Sequence, residues 1–321
     1  MDRRRLAGVL LVVVSGVSFG SGALFAKPVY GVGIDWLTLL VWRFGIGATL
    51  AWAWLLASPA RRAALRSTSR RQVVAGLGLG ALYTLNSSTY YASLETVPAS
   101  LAALIVYIYP VLVAVLTLRF GRPLSGRGPW IALGIGTIGV ALAVGGVDPG
   151  HLPPLAGIAL AVASPIIYSG WIILSARLGG ERRDRTGGEG SEGAAAAVAS
   201  ALMMTATGGI FVGLAVLTAH PIAPSTIPGS AWPGIVGIGL VSTFIAIQTF
   251  YAGARRIGAA QAALISTIEP AYTITMAAIL FGERLTPVQL VGGGLIIGAV
   301  VLAQSTSHSP DGGAELRLAD E

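Results

Sequence analysis

Ten apolar stretches, each about the length that crosses a bilayer as a helix, follow one another along this chain with little between them. They cover residues 6–26, 35–57, 73–93, 99–118, 129–147, 155–175, 194–218, 231–252, 259–281 and 287–304. A spanning helix takes roughly 20 apolar residues, so ten spans and their loops occupy nearly all of the 321 residues. No room is left for a large aqueous domain. Only 11% of the residues are charged, against about 25% in an ordinary soluble domain. The expected class is therefore an all-α membrane protein, with the lipid bilayer as its first partner. The 44 glycines suit helices whose backbones approach closely.

The charges test the count of spans. With the N-terminus placed inside, eighteen of the 21 basic residues fall on the cytoplasmic side, from Arg3–Arg5 through Arg61, Arg62, Arg182 and Arg183 to Arg317. Only Lys27 and Arg284 fall outside, and Arg43 lies within a span. Cytoplasmic loops hold the excess of Lys and Arg, and one span more or fewer would destroy the asymmetry. Ten transmembrane helices with both termini cytoplasmic follow. The net charge of +7 thus reports orientation rather than nucleic acid binding. Residues 1–23 imitate a secretory signal, but their removal would leave nine spans, so they are read as the first helix. Residues 179–193 are expected to be a flexible connector, and 305–321 a flexible cytoplasmic tail.

The chain also resembles itself. At an offset of 160, ten of the 22 positions from 89 to 110 match, including Tyr91/Tyr251, Ile108/Ile268 and Pro110/Pro270. Phe120-Gly121 and Leu124 likewise face Phe281-Gly282 and Leu285 after a one-residue shift. A repeat of five spans is odd, so its second copy enters the membrane upside down. Two inverted five-helix repeats, 6–147 and 155–304, are expected, with a substrate site near the midplane between them, as in secondary transporters.

Several motifs recur in a recognisable order: Phe19-Gly20 with Lys27 eight positions on, Trp42-Arg43-Phe44, Pro110, Pro270, and Phe281-Gly282-Glu283-Arg284-Leu285 before a glycine-rich last helix. In that order and spacing the chain resembles the EamA-type members of the drug/metabolite transporter superfamily, over roughly residues 6–303. The resemblance implies a ten-helix transporter, commonly an exporter of amino acids or other small metabolites. The first repeat has Arg122-Pro123 where the second has Glu283-Arg284, which leaves Glu283 without an assigned role.

Ionisable groups inside spans are costly, about 2.5–3.5 kcal/mol at the centre, and usually face the protein interior. Two stand out. Glu269 lies about ten residues into the ninth span, roughly 15 Å deep at 1.5 Å per residue. It is either a proton carrier and substrate ligand or a static support for the bend at Pro270, which frees the carbonyl of Ser266. Arg43 lies roughly 12 Å deep in the second span. It either pairs with Glu269 as a gate or substrate anchor, or snorkels outward or caps carbonyls. Tyr83, Asn86, Ser87 and Tyr90 share one helix face, as do Ser266, Glu269, Tyr272 and Thr273. Thr243, Gln248, Thr249, Tyr107, Tyr168 and Trp171 complete a candidate cavity lining of few polar groups and aromatic walls. Each serine or threonine has the alternative of bonding its own helix backbone, but the amide of Asn86 cannot be satisfied that way.

Other chemistries lack their residues. With no cysteine, disulfides, zinc–thiolate sites and iron–sulfur clusters are excluded. No phosphate-binding lysine motif occurs, no HExxH occurs, and His151, His220 and His308 lie in loops or the tail. Gly134-Ile135-Gly136-Thr137-Ile138-Gly139 matches a dinucleotide fingerprint but sits inside a span, where glycines serve helix packing; Gly16/Gly20, Gly76/Gly80 and Gly294/Gly298 read the same way. The chain is expected to be no enzyme and to need no cofactor or metal. Its expected function is secondary active transport of a small-molecule substrate by alternating access, with protons as a candidate coupling ion, in a bacterial inner membrane, as monomer or homodimer. A passive facilitator and a non-transporting scaffold are the alternatives.

Overall fold

The computed structural model of the chain describes residues 3–120, 128–145, 152–178, 189–257, 265–266 and 268–306. These form helices and turns, with no strand among the described residues. In order they are α1 (Arg3–Gly31), α2 (Trp36–Leu56), α3 (Pro59–Ser67), α4 (Arg70–Ser93), α5 (Ala99–Val106), α6 (Tyr109–Phe120), α7 (Gly128–Gly145), α8 (Leu155–Leu178) and α9 (Glu189–Leu217). Then come α10 (Trp232–Gly239), a π-helical segment (Leu240–Ile245), α11 (Ala246–Ile257), α12 (Ile268–Phe281) and α13 (Pro287–Thr306). Five stretches are long and apolar enough to cross a membrane: Arg5–Gly31, Trp36–Leu56, Leu155–Leu174, Ala194–Leu217 and Gly229–Gly253. Several shorter apolar helices accompany them. The 24-residue α4 is not among the five because Tyr83, Thr84, Asn86, Ser87, Ser88, Thr89 and Tyr90 dilute its hydropathy. Large apolar side chains such as Leu155, Leu217, Ile279, Leu290 and Val291 are exposed, an arrangement suited to hydrocarbon rather than water.

Helix ends follow local chemistry. Asp35 caps α2 by accepting from Thr38 N–H. Ser69 and Gln72 form a reciprocal capping box at the start of α4. Several expected boundaries move. The first helix runs on to Gly31 through Pro28, so Lys27 lies on a helix rather than in a loop. The basic stretch after α2 is itself helical, as α3, with Arg61 over the Trp54 ring at 3.9 Å. The first turn of α9, from Glu189, takes up the end of the expected connector; 179–188 and 307–321 lie outside the described residues.

Two expected spans are broken. The fourth is interrupted by a turn at Tyr107-Ile108, between α5 and α6. The ninth is interrupted at Ser266, just before α12; 258–264 and 267 lie outside the described residues. Proline explains both, because it supplies no N–H and its ring crowds the carbonyl four residues back. At an offset of 160, Tyr109-Pro110 corresponds to Glu269-Pro270. Each pair therefore stands in the first turn of the helix that resumes after a break. The carbonyl of Ser266 that Pro270 cannot bond accepts instead from Glu269 N–H at 3.0 Å.

The helices pair in an exchange-symmetric way. α1 packs on α11 as α4 packs on α8, and α2 on α9 and α7 on α13 are each closed on themselves. Glycines set the closest approaches. A methyl at Gly139 would lie 2.7 Å from Gly292 O, and one at Gly80 would lie 2.4 Å from Met203 O. Gly16, Gly20 and Gly76 are packed as expected, against α12 and Leu202. Gly134, Gly294 and Gly298 are not: nothing stands within 4 Å of a methyl placed there. It is Gly292 and Gly293 of α13 that face neighbours.

Candidate functional site

The breaks in the fourth and ninth spans bring Tyr107, Tyr109 and Glu269 to one region of the bundle. Tyr90, Tyr91, Tyr107, Tyr109 and Tyr168 lie within electrostatic reach of Glu269. Glu269 is partly exposed and stands at the start of a helix, where the positive end of the dipole favours an anion. Gly16 and Gly20 of α1 pack against the start of α12, where methyls would stand 2.8 Å from Ile268 Cγ2 and 3.1 Å from Glu269 O, and Thr273 Oγ1 donates to Gly20 O at 3.0 Å. This fixes the resumed helix against α1.

Aromatic rings continue away from Glu269. Tyr107 meets Tyr109 at 5.8 Å, Tyr109 meets Tyr168 at 4.8 Å, and Tyr168 stacks on Trp171 at 5.8 Å. Trp171 then meets Tyr83 at 5.2 Å, and Tyr83 meets Phe44 at 6.1 Å. Trp171 Nε1 donates to Leu79 O at 3.0 Å, which locks its ring. Such edge-to-face and offset pairs are each worth about 0.5–1.5 kcal/mol beyond burial, and together they make a stiff wall from α5 and α6 through α8 to α4 and α2.

Arg43 stands where that wall ends. It is 4% exposed and does not snorkel. Its Nε donates to Thr243 Oγ1 at 2.8 Å, and its guanidinium lies over Tyr91 at 4.4 Å and Phe44 at 5.0 Å. The structure does not bring Arg43 and Glu269 into an ion pair. Tyr90 and Tyr91 are within electrostatic reach of both charges. Asn86 is buried, and its Oδ1 accepts from Ser164 Oγ of α8 at 3.0 Å. Gln248 is directed at α9 instead, donating to Ser200 Oγ at 3.3 Å, and Tyr272 at α1, with its hydroxyl 3.2 Å from Ser21 Oγ. Ser266 is buried at the break. Thr249 bonds its own helix backbone.

The sequence had not marked Tyr109, Phe44, Ser164 or Ser242 as lining residues. Tyr109 was open to detection, since the 160-residue offset places it opposite Glu269. The others are revealed only by partners on distant helices.

At the end of the bundle away from the N-terminus, Glu283 has a definite place. Its carboxylate accepts from Ala99 N–H at 3.0 Å, Ser100 N–H at 2.9 Å and Ser100 Oγ at 2.6 Å, capping α5. Lys27 Nζ donates to Val97 O at 2.6 Å beside it. Lys27, Pro28, Thr96, Pro98, Phe281 and Glu283 border an open depression of about 530 Å³ there. Asp35 pairs with His220, and Glu95 accepts from Trp36 N–H at 2.7 Å. Burial raises the Glu95 pKa, opposed by that hydrogen bond. The contacts of Glu283 with α5 and of Asp35 with His220 join first-half and second-half helices at this end.

Comparison with known proteins agrees with this architecture. The EamA-like transporter family matches residues 6–145 and again residues 155–304. An uncharacterized transporter of Bacillus subtilis, YcbK, is 26% identical over 297 residues, covering 91% of each chain. The threonine/homoserine exporter RhtA of Escherichia coli is 26% identical over 292 residues, 91% of this chain and 89% of its own. A crystal structure with 19% sequence identity superposes with a TM-score of 0.62 over 94% of this chain and 99% of that one, which shows a shared fold. With family matches over both halves of an all-helical, apolar chain, this protein belongs to the EamA-like transporter family, and its partners are a lipid bilayer and a small-molecule substrate.

Proposed function

We propose that the chain is a secondary active exporter of amino acids or related small solutes, working by alternating access and coupled to protons through Glu269. Ten spans form two inverted five-helix repeats, 6–147 and 155–304, with both termini cytoplasmic, in the bacterial inner membrane. The observation that carries the reading is the pair of helix breaks at symmetry-related positions, each resuming at an X-Pro step, with Tyr109 at one and Glu269 at the other. Discontinuous helices whose half-helix ends meet near the midplane are a transporter device for holding solute and ion. The exchange-symmetric pairing of helices and the separate family matches to each half support the repeats. The name of RhtA supports amino acids as the first solutes to try.

The test is flux in proteoliposomes of the purified protein, using L-threonine, L-homoserine and a panel of other amino acids and small metabolites, with and without a pH gradient. The expected result is saturable flux of at least one amino acid that accumulates against its gradient when protons run down theirs. Flux without accumulation would make the protein a passive facilitator. No flux of any solute would overturn the reading.

A further inference from the structure

Two buried side-chain atoms near Tyr91 have no hydrogen-bond partner: Arg43 Nη1 and Ser242 Oγ. They are linked through Thr243, which follows Ser242 in the chain and accepts from Arg43 Nε. A guanidinium carries five N–H donors in its plane. The faces of Tyr91 and Phe44 attract its charge but accept none of those in-plane hydrogens. Burying an uncompensated charge costs several kcal/mol, and no carboxylate forms an ion pair with Arg43 among the described residues. What this group is built to meet is an anion.

Ser242 is unusual in the same direction. Hydroxyls in these helices bond a carbonyl four residues back: Thr49 to Gly45, Thr84 to Gly80, Ser88 to Thr84, Thr205 to Ala201 and Thr275 to Ala271. For Ser242 that carbonyl is Ile238 O, which accepts instead from Thr243 Oγ1 at 2.9 Å across the π-helical segment. The Ser242 hydroxyl, 1% exposed, makes no such bond. Such π-turns are frequent at functional sites. Gly22 of α1 completes the spot: a methyl there would stand 2.6 Å from Tyr91 Oη and 3.6 Å from Ser242 Cβ.

We propose that Arg43 and Ser242 form a carboxylate-binding subsite, in which a zwitterionic solute accepts hydrogen bonds from Arg43 Nη1 and Ser242 Oγ while its ammonium group faces Glu269 and the tyrosines. This rests on the transport reading for the identity of the solute.

The probes are L-threonine and L-threonine amide, the same molecule without the anionic charge, bound to purified protein in detergent by thermal shift and radioligand competition. Wild type is expected to prefer the acid. Ser242→Ala removes one hydrogen bond to a charged group, so it should weaken L-threonine by about tenfold or more and weaken the amide, whose neutral carbonyl accepts a weaker bond, by clearly less. Arg43→Gln should abolish the preference. Ser242→Ala disturbs neither the Arg43–Thr243 bond nor the ring contacts, so the test survives if Arg43→Gln does not fold. Equal binding of acid and amide by wild type, equal loss of both in Ser242→Ala, or no binding of either probe would overturn the subsite. Proteoliposomes that move neither probe while the detergent preference stands would refute transport and keep the subsite.

Discussion

Glu269→Gln is expected to abolish proton-driven accumulation while leaving solute exchange intact. Glutamine keeps the shape and polarity of the side chain among Tyr90, Tyr91, Tyr107, Tyr109 and Tyr168, but it cannot take up or release a proton. Its backbone bond to Ser266 O and its place at the start of α12 are unaffected. One proton per solute, driven by a pH gradient of about one unit, sustains about tenfold accumulation; the variant should show none. Counterflow, in which unlabelled solute inside drives labelled solute in, needs no proton transfer and should continue, at a raised KM because a neutral amide attracts the solute ammonium less than a carboxylate does. Uphill transport that survives in the variant would remove Glu269 from the coupling step. Loss of counterflow as well would make its role structural or solute-binding only.

The second large effect concerns packing. Gly80→Ala should destabilise the protein strongly, whereas Gly78→Ala, two residues away on the same helix, should be neutral or slightly stabilising. A methyl at Gly80 would meet the Met203 backbone carbonyl at 2.4 Å and Ala206 Cβ at 2.7 Å, while one at Gly78 meets nothing within 4 Å. The Gly80 carbonyl also accepts from Thr207 Oγ1 at 2.8 Å, so separating α4 from α9 strains that bond too. Overpacking of this kind costs about 1–3 kcal/mol. At Gly78 only the helix propensity of alanine acts, worth at most about 1 kcal/mol. Thermal midpoints in detergent check the pair. Equal midpoints for the two variants would contradict the close approach of these helices.

Much of this architecture was legible without coordinates because the bilayer simplifies the code. Helix is the only way an apolar stretch of this kind satisfies its backbone in lipid, so each of the ten stretches is mainly helical over its described residues. What the residues did not disclose is where helices fail to continue. Pro110 and Pro270 signalled bends, yet full breaks at Tyr107-Ile108 and Ser266 depend on neighbouring helices holding the ends. The π-helical segment at Leu240–Ile245, which holds Ser242, has no local sequence mark at all.

The site was legible in the same uneven way. Arg43 and Glu269 were marked by the cost of charge in lipid, and Asn86 by an amide that needs a remote partner, which proved to be Ser164. Their mutual arrangement was not legible. Depth along a helix says nothing of rotation about it, so two charges at similar depth do not touch, and Arg43 turns to Thr243 and the Tyr91 ring instead. Glu283 went unassigned because its partner, the start of α5, lies nearly two hundred positions away in the chain. Its first-half counterpart, Arg122, lies outside the described residues.

The central claim is that transport requires the two halves to move against each other around the Glu269 region, and one covalent tie tests it most directly. The chain has no cysteine, so a single engineered pair can be read without background. A Cβ built at Gly157, at the start of α8, lies 3.5 Å from Thr96 Cβ, in the turn between α4 and α5, within the span of about 3.5–4.5 Å that a disulfide bridges. In the double variant Thr96→Cys and Gly157→Cys, counterflow of L-threonine should stop on oxidation and return when the bond is reduced. Counterflow that continues undiminished in the fully oxidised protein would contradict the account.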